Sequence, residues 1–213
     1  LSLRIDTGRF LPTWGVVKRA LHISLPMGLQ QTIMCSAYVM TTIIIAPLGT
    51  FAIAANSFGI IIESLCYMPG YGIADAATTL VGQSMGAGRH ELMKRFAWLS
   101  VGLGVTVMAV MGVVMYVGAP TAMAMMTPAE EVRRLGVEVL RIEAFAEPMF
   151  AAAIVSYGVF VGAAKTLGAS IMNLVSIWGV RISLAAMLAP SMGLRGVWIA
   201  MCIELCFRGL IFL

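Results

Sequence analysis

Charge is scarce in this sequence. Of 213 residues only 11% are Asp, Glu, Lys or Arg, against about 25% in an ordinary soluble domain. Hydrophobic residues make up 60%, and the mean hydropathy is +0.94. A chain of this kind is excluded as a soluble domain and as a disordered one. Cysteine is scarce too: Cys35, Cys66, Cys202 and Cys206 have neither the density of a disulfide scaffold nor metal-site spacing. The two histidines, His22 and His90, form no cluster, and no Ser-His-Asp arrangement appears, so the sequence does not read as an enzyme. The pI is near 9.1, yet the formal net charge is only +4. A few bases on an apolar chain make no phosphate-binding face, and nucleic acid is not an expected partner. Gly82-Gln-Ser-Met-Gly86-Ala-Gly88-Arg89 lacks the Lys-Ser/Thr ending of a phosphate loop, and no other cofactor motif is present.

What is present is length of uncharged chain. No charged side chain lies between Arg19 and Glu63, and none between Phe96 and Ala129. A membrane helix needs about 20 apolar residues, so the first run holds two spans around a turn at Ala46-Pro47-Leu48-Gly49-Thr50. Strand-type alternation is absent, which argues against a membrane β-barrel. The expected fold is an all-α membrane protein with six transmembrane helices, at 21–46, 51–80, 96–118, 136–163, 167–189 and 196–213. Residues 1–20 are expected to be a cytoplasmic or interfacial lead-in, with Trp14 ahead of Lys18-Arg19, and Leu1 to Phe10 do not read as a secretory signal. With the N-terminus in the cytoplasm, nine bases (Arg4, Arg9, Lys18, Arg19, Arg89, Lys94, Arg95, Lys165, Arg208) fall inside and three (Arg133, Arg134, Arg195) outside. That bias sets both ends cytoplasmic. Pro26, Pro69 and Pro148 sit within spans, as kinks tolerated in lipid or as hinges beside a cavity. Gly158-Val-Phe-Val-Gly162 has small-xxx-small spacing for close helix packing.

Ionisable groups inside spans are costly, by roughly 2.5–3.5 kcal/mol each even on a mild scale. The spans nonetheless contain Glu63, Asp75, Glu143, Glu147 and Glu204, with Arg141 and Arg181. Depth sorts them. At about 1.5 Å per residue, Glu63 and Glu147 lie near the midplane, about 18 Å from their outer ends, and Glu143 and Arg181 lie about 10–12 Å in. Glu143–Arg181 and Glu204–Arg208 are therefore expected as structural ion pairs, the latter four residues apart on one helix face. Glu63 and Glu147 have no base at their depth, so each must be protonated, face water or bind a cation. Gln30, Gln31, Asn56 and Asn173 have two readings, interhelical hydrogen bonds or a polar cavity wall.

Read in order, the chain runs Leu25-Pro26 with Gln30-Gln31, Phe51-Ala-Ile-Ala-Ala-Asn56, and Ile62-Glu63-Ser64-Leu65 through Met68-Pro69-Gly70. Ala76-Ala77 and Val81-Gly82-Gln83-Ser84-Met85-Gly86-Ala87-Gly88 follow, then Glu147-Pro148, Arg181-Ile182 and Gly196-Val197-Trp198. Over nearly its whole length the sequence resembles the C-terminal six-helix lobe of the multidrug and toxic compound extrusion (MATE) family of cation-coupled exporters. There are departures. Where the family typically reads Leu-Arg-Gly-Ala-Gly-Asp-Thr, this chain has Phe160-Val161-Gly162-Ala163-Ala164-Lys165-Thr166, and its Arg-Ile-Pro is Arg181-Ile182-Ser183.

The resemblance implies a twelve-helix transporter of two similar lobes that rock about a substrate site between them, driven by sodium or protons. Substrates would be small cationic amphipathic drugs, exported across the cytoplasmic membrane. Glu63, Glu147 and Glu143, with Gln30, Gln31, Asn56 and Asn173, would be the substrate- or cation-binding candidates. Six spans are half of such a protein, so the expected partner is a missing N-terminal lobe, unless two copies of a half-transporter pair. Two rival expectations stand beside this one: a lipid-linked saccharide flippase of related architecture, and a non-transporting scaffold or fragment.

Overall fold

The computed structural model describes residues 14–213, except the side chains of 16, 19, 20, 22–27, 29 and 30. The expected lead-in over 1–13, and the side chains of His22, Pro26 and Gln30, lie outside the described residues. Trp14–Lys18 are helical and run straight into the first long helix.

Helix α1 (Trp14–Ile45) ends in a 3₁₀ turn at Ala46–Leu48, and α2 (Thr50–Gly86) begins after it. The expected turn is there because Pro47 fits the first turn of a 3₁₀ segment and Gly49 takes a φ of 98°. Gly88, with a φ of 69°, turns α2 into α3 (His90–Met126). At 37 residues each, α2 and α3 are about 55 Å long. That exceeds the roughly 30 Å hydrocarbon layer, so their ends project beyond it. The second and third expected spans are therefore parts of longer helices.

The fourth expected span, 136–163, is not one helix. It is α4 (Glu130–Glu143) and α5 (Glu147–Gly162), bent by 59° across 144–146. Pro148 has no N–H to offer the Ala144 carbonyl four residues before it. That carbonyl instead faces α3 at Gly112, where an added Cβ would sit 2.8 Å from it.

The fifth span is α6 (Thr166–Val175), a π-helical segment Ser176–Ile182, and α7 (Ser183–Met192). Gly193, with a φ of 62°, turns the chain into α8 (Leu194–Phe212). Gln31–Leu48, Thr50–Gly86, His90–Met126 and Thr166–Met192 are long and apolar enough to cross a bilayer, and the bent α4–α5 pair is a fifth when its two helices are counted as one span. Helix α8 is 19 residues long but carries Arg195, Glu204 and Arg208.

Packing centres on α2, α3 and α5, with α8 against α5 and α7. Small residues allow the close approaches. A Cβ on Gly158 would lie 2.6 Å from the Ala74 carbonyl, and one on Gly162 would meet the Thr78 carbonyl. Thr78 Oγ1 also donates to the Gly158 carbonyl at 2.9 Å, so the small-xxx-small stripe of α5 seats on α2. Trp198 is 1% exposed, and its ring lies 3.0 Å from where a Gly59 Cβ would be, which locks α8 on α2. At one end Arg195 donates to both oxygens of Glu138, tying α8 to α4, and that carboxylate holds the exposed guanidinium above its ordinary pKa. Between α5 and α6, Ala164 takes a φ of 57°. It stands where the family string has glycine, so an L side chain bears left-handed backbone here, at a cost of roughly 1–2 kcal/mol.

Candidate functional site

Four glutamates are buried inside the bundle: Glu63 on α2, Glu143 at the end of α4, Glu147 at the start of α5 and Glu204 on α8. The α4–α5 bend places Glu143 and Glu147 on either side of the corner. Glu63 acts electrostatically on both, and Glu147 and Glu204 act on Glu143. Among the described residues, no three His, Cys, Asp or Glu side chains come close enough to hold a metal ion together.

Their surroundings differ. Glu204 is partnered: its Oε1 accepts from Ser176 Oγ at 2.6 Å and lies 3.2 Å from Arg208 Nε. The second contact is an ion pair by distance without hydrogen-bond alignment. Both oxygens of Glu147 are buried without a hydrogen-bond partner, as is Oε2 of Glu143. Gly112 matters here, because a Cβ on it would stand 3.3 Å from Glu147 Cβ.

Glu63 faces a cavity of about 90 Å³. Tyr67, Tyr71, Tyr38 and Phe150 form its aromatic wall, and Arg181 and Arg208 also line it. Tyr67 packs edge-on against Tyr71 and Phe150, at 5.5 and 5.6 Å between ring centroids. Met34, Tyr71, Phe150 and Arg208 are shared with a second chamber of about 200 Å³, where Gln31, Asn173 and Tyr157 add polar groups. Among the described residues Glu63 makes no hydrogen bond and no ion pair within 4.0 Å. A carboxyl, two guanidiniums and π faces thus surround a space large enough for a small guest.

Several expectations change. Glu143 and Arg181 do not form an ion pair within 4.0 Å. The guanidinium of Arg181 instead contacts Met201 Sδ and lies 5.9 Å from the centre of the Tyr38 ring. Its direction comes from the π-helical segment. Hydrogen bonding from i to i+5 stacks residues five apart, so Ser176 and Arg181 share a face, where α-winding would separate them by roughly 140°. Glu63 does have bases in its cavity, contrary to the sequence reading. Arg208, counted from the sequence among the cytoplasmic bases, is 8% exposed and stacks 5.5 Å over Phe150. Asn56 is occupied, accepting at Oδ1 from Trp198 Nε1 at 3.1 Å, which leaves it an interhelical role. Gln31 and Asn173 line the second chamber. Asp75 is exposed.

Sequence reasoning missed the tyrosine wall and the π segment. Tyr67 and Tyr71 are four apart on α2 and fall one and two turns after Glu63, a spacing that could have marked the wall.

An all-helical lobe built to cross a membrane, holding unpartnered acids beside an internal cavity, has the architecture of a secondary transporter rather than of an enzyme. A sequence model of the MatE family matches residues 26–187, and the chain belongs to that family. Similar relatives are probable multidrug resistance proteins NorM. That of Xylella fastidiosa (strain Temecula1) is 27% identical over 197 residues, which are 92% of this chain and 42% of the relative. That of Thermotoga maritima is 26% identical over 212 residues, 97% of this chain and 45% of the relative. The chain therefore spans about half the length of the curated relatives it matches. Among solved structures, a MOP superfamily transporter from Pyrococcus furiosus, described as having a binding pocket of reverse polarity, superposes with a TM-score of 0.84 at 19% identity. The match covers 95% of this chain and 46% of that one. It shows the fold.

Proposed function

We propose that this chain forms one six-helix lobe of a cation-coupled antiporter that exports organic cations across the cytoplasmic membrane. The second lobe completes the substrate path, and both ends of this one face the cytoplasm. Sodium or protons supply the driving force, and Glu63 and Glu147 are the carboxyls that exchange one positive species for another. The relatives' names, which speak of multidrug resistance, support this reading. The observation that carries it is the isolation of Glu63: a carboxyl on the wall of an internal cavity, with no hydrogen bond and no ion pair among the described residues. In low dielectric such a group gains strongly from an arriving cation or proton. The tyrosine and phenylalanine faces beside it suit a flat organic cation.

The test is ethidium efflux from proteoliposomes holding the whole natural polypeptide, under an imposed sodium or proton gradient. Glu63→Gln is expected to reduce gradient-driven efflux at least tenfold, a loss of about 1.4 kcal/mol of coupling. Efflux at the unsubstituted rate would remove Glu63 from the mechanism.

One observation favours a second reading. Arg181 and Arg208 line the same cavity, and two guanidiniums suit an anionic substrate such as a lipid-linked saccharide. Glu204 already balances Arg208, which leaves Arg181 beside Glu63 in the cavity, with Glu143 and Glu147 further acids in the same bundle. The remaining balance is acidic and favours the cation. Flipping of a lipid-linked saccharide without ethidium transport would decide for the second reading.

A further inference from the structure

The two guanidiniums of the Glu63 cavity are held very differently. Arg208 is pinned by Glu204, which Ser176 holds in turn. Arg181 has no carboxylate within 4.0 Å among the described residues. Its Nε is buried without a hydrogen-bond partner, and the rest of the group touches only a thioether and an aromatic face. These are soft, polarizable contacts that release a cation cheaply. It nonetheless lines the same cavity as Glu63. A second cavity, of only about 10 Å³, adjoins Arg181 and is lined by Met34, Ala37, Tyr38, Thr41 and Ile177.

We propose that Arg181 is a tethered counter-ion for Glu63, a specificity-determining residue that balances the carboxyl while the cavity is empty and yields to the guest cation. The claim rests on the reading of Glu63 as a cation acceptor. It assigns Arg181 a role opposite to that of a binding residue, because every guest cation must compete with it. The π-helical turn that aims Arg181 into the cavity is what makes the competition possible. A guanidinium paired permanently to Glu143 would leave Glu63 unopposed, and a guanidinium paired to Glu63 would close the site.

The experiment is equilibrium binding of radiolabelled tetraphenylphosphonium to the whole natural protein in detergent. The unsubstituted protein should bind, and Glu63→Gln should abolish binding. Arg181→Gln should bind at least tenfold tighter, as expected for removing one positive charge within about 12 Å at an effective dielectric near 20. Arg181→Lys, which keeps the charge, should stay within about twofold of the unsubstituted protein by the same argument. A merely structural arginine would give weaker binding on removal, never tighter. Unchanged or weaker binding by a folded Arg181→Gln overturns the proposal and leaves the role of Glu63 standing. Should that variant not fold, Arg181→Met, which fills the same space without charge, takes its place with the same criterion. Equal binding by the unsubstituted protein and Glu63→Gln, or none by either, overturns the reading of Glu63 and the proposal with it.

Discussion

Glu147 is 1% exposed, and neither of its carboxylate oxygens has a partner. A buried polar group without a hydrogen bond costs about 1–3 kcal/mol, more if charged. That expense is borne at the α4–α5 corner, where Gly112 lets the backbone of α3 come close. Glutamine keeps the shape and removes the charge. Glu147→Gln is therefore expected to raise stability by about 1 kcal/mol, read as a higher melting temperature in detergent, while lowering gradient-driven transport. A lower melting temperature would show that the carboxyl is holding the corner together.

At this scale the acids were legible in the sequence, because a charge stands out in an apolar run. The Glu204–Arg208 pair, four residues apart on one helix, was legible too and is present; the surroundings of the other acids were not. Glu143 and Arg181 lie at similar depths on neighbouring spans, yet depth says nothing of direction. Seven residues of π-helix turn Arg181 toward Tyr38 and Met201. No strong signal marks that segment, since Gly179 alone is compatible with ordinary helix in a membrane.

The helices show the same division. The turn at Gly49 was readable, and the positive-φ glycines Gly88 and Gly193 fall in the breaks between expected spans. The break in the fourth span was not readable, because a single proline such as Pro148 is compatible with a mere kink. Pro69 lies inside an unbroken α2, and Pro120 inside an unbroken α3. What distinguishes Pro148 is tertiary: the freed Ala144 carbonyl lies where Gly112 leaves room for it. Close packing of α5 on α2 follows directly from the Gly158 and Gly162 spacing. The α5–α6 turn offers a clean test of backbone strain. Ala164 holds a φ of 57° with a Cβ that this conformation does not favour. Ala164→Gly is expected to stabilise the protein by up to about 1 kcal/mol, the left-handed penalty less the added entropy of the unfolded chain. Thermal unfolding of the two proteins side by side checks it, and a destabilised glycine variant would mean the strain is absent.

For the whole molecule, the paired ions, cavity and aromatic wall form a site enclosed by α1, α2, α5, α8 and the π segment. Tyr38 and Met34 on helix α1 line the cavity. Movement of α1 relative to α2 and α8 would change access to Glu63, in keeping with transporters whose repeats rock about a central site. The all-helical, membrane-crossing character was legible in the uncharged runs and their breaks. The mixed charge of the cavity was not, since Arg208 reads in sequence as a base near a cytoplasmic end.

Ion release on addition of substrate tests the central claim most directly. Proteoliposomes containing the whole natural polypeptide are loaded with protons or sodium, and ethidium is added on the opposite side. Prompt substrate-dependent ion efflux is the predicted result, and it should vanish in the Glu63→Gln/Glu147→Gln double variant. Full ion release from that double variant would contradict the account.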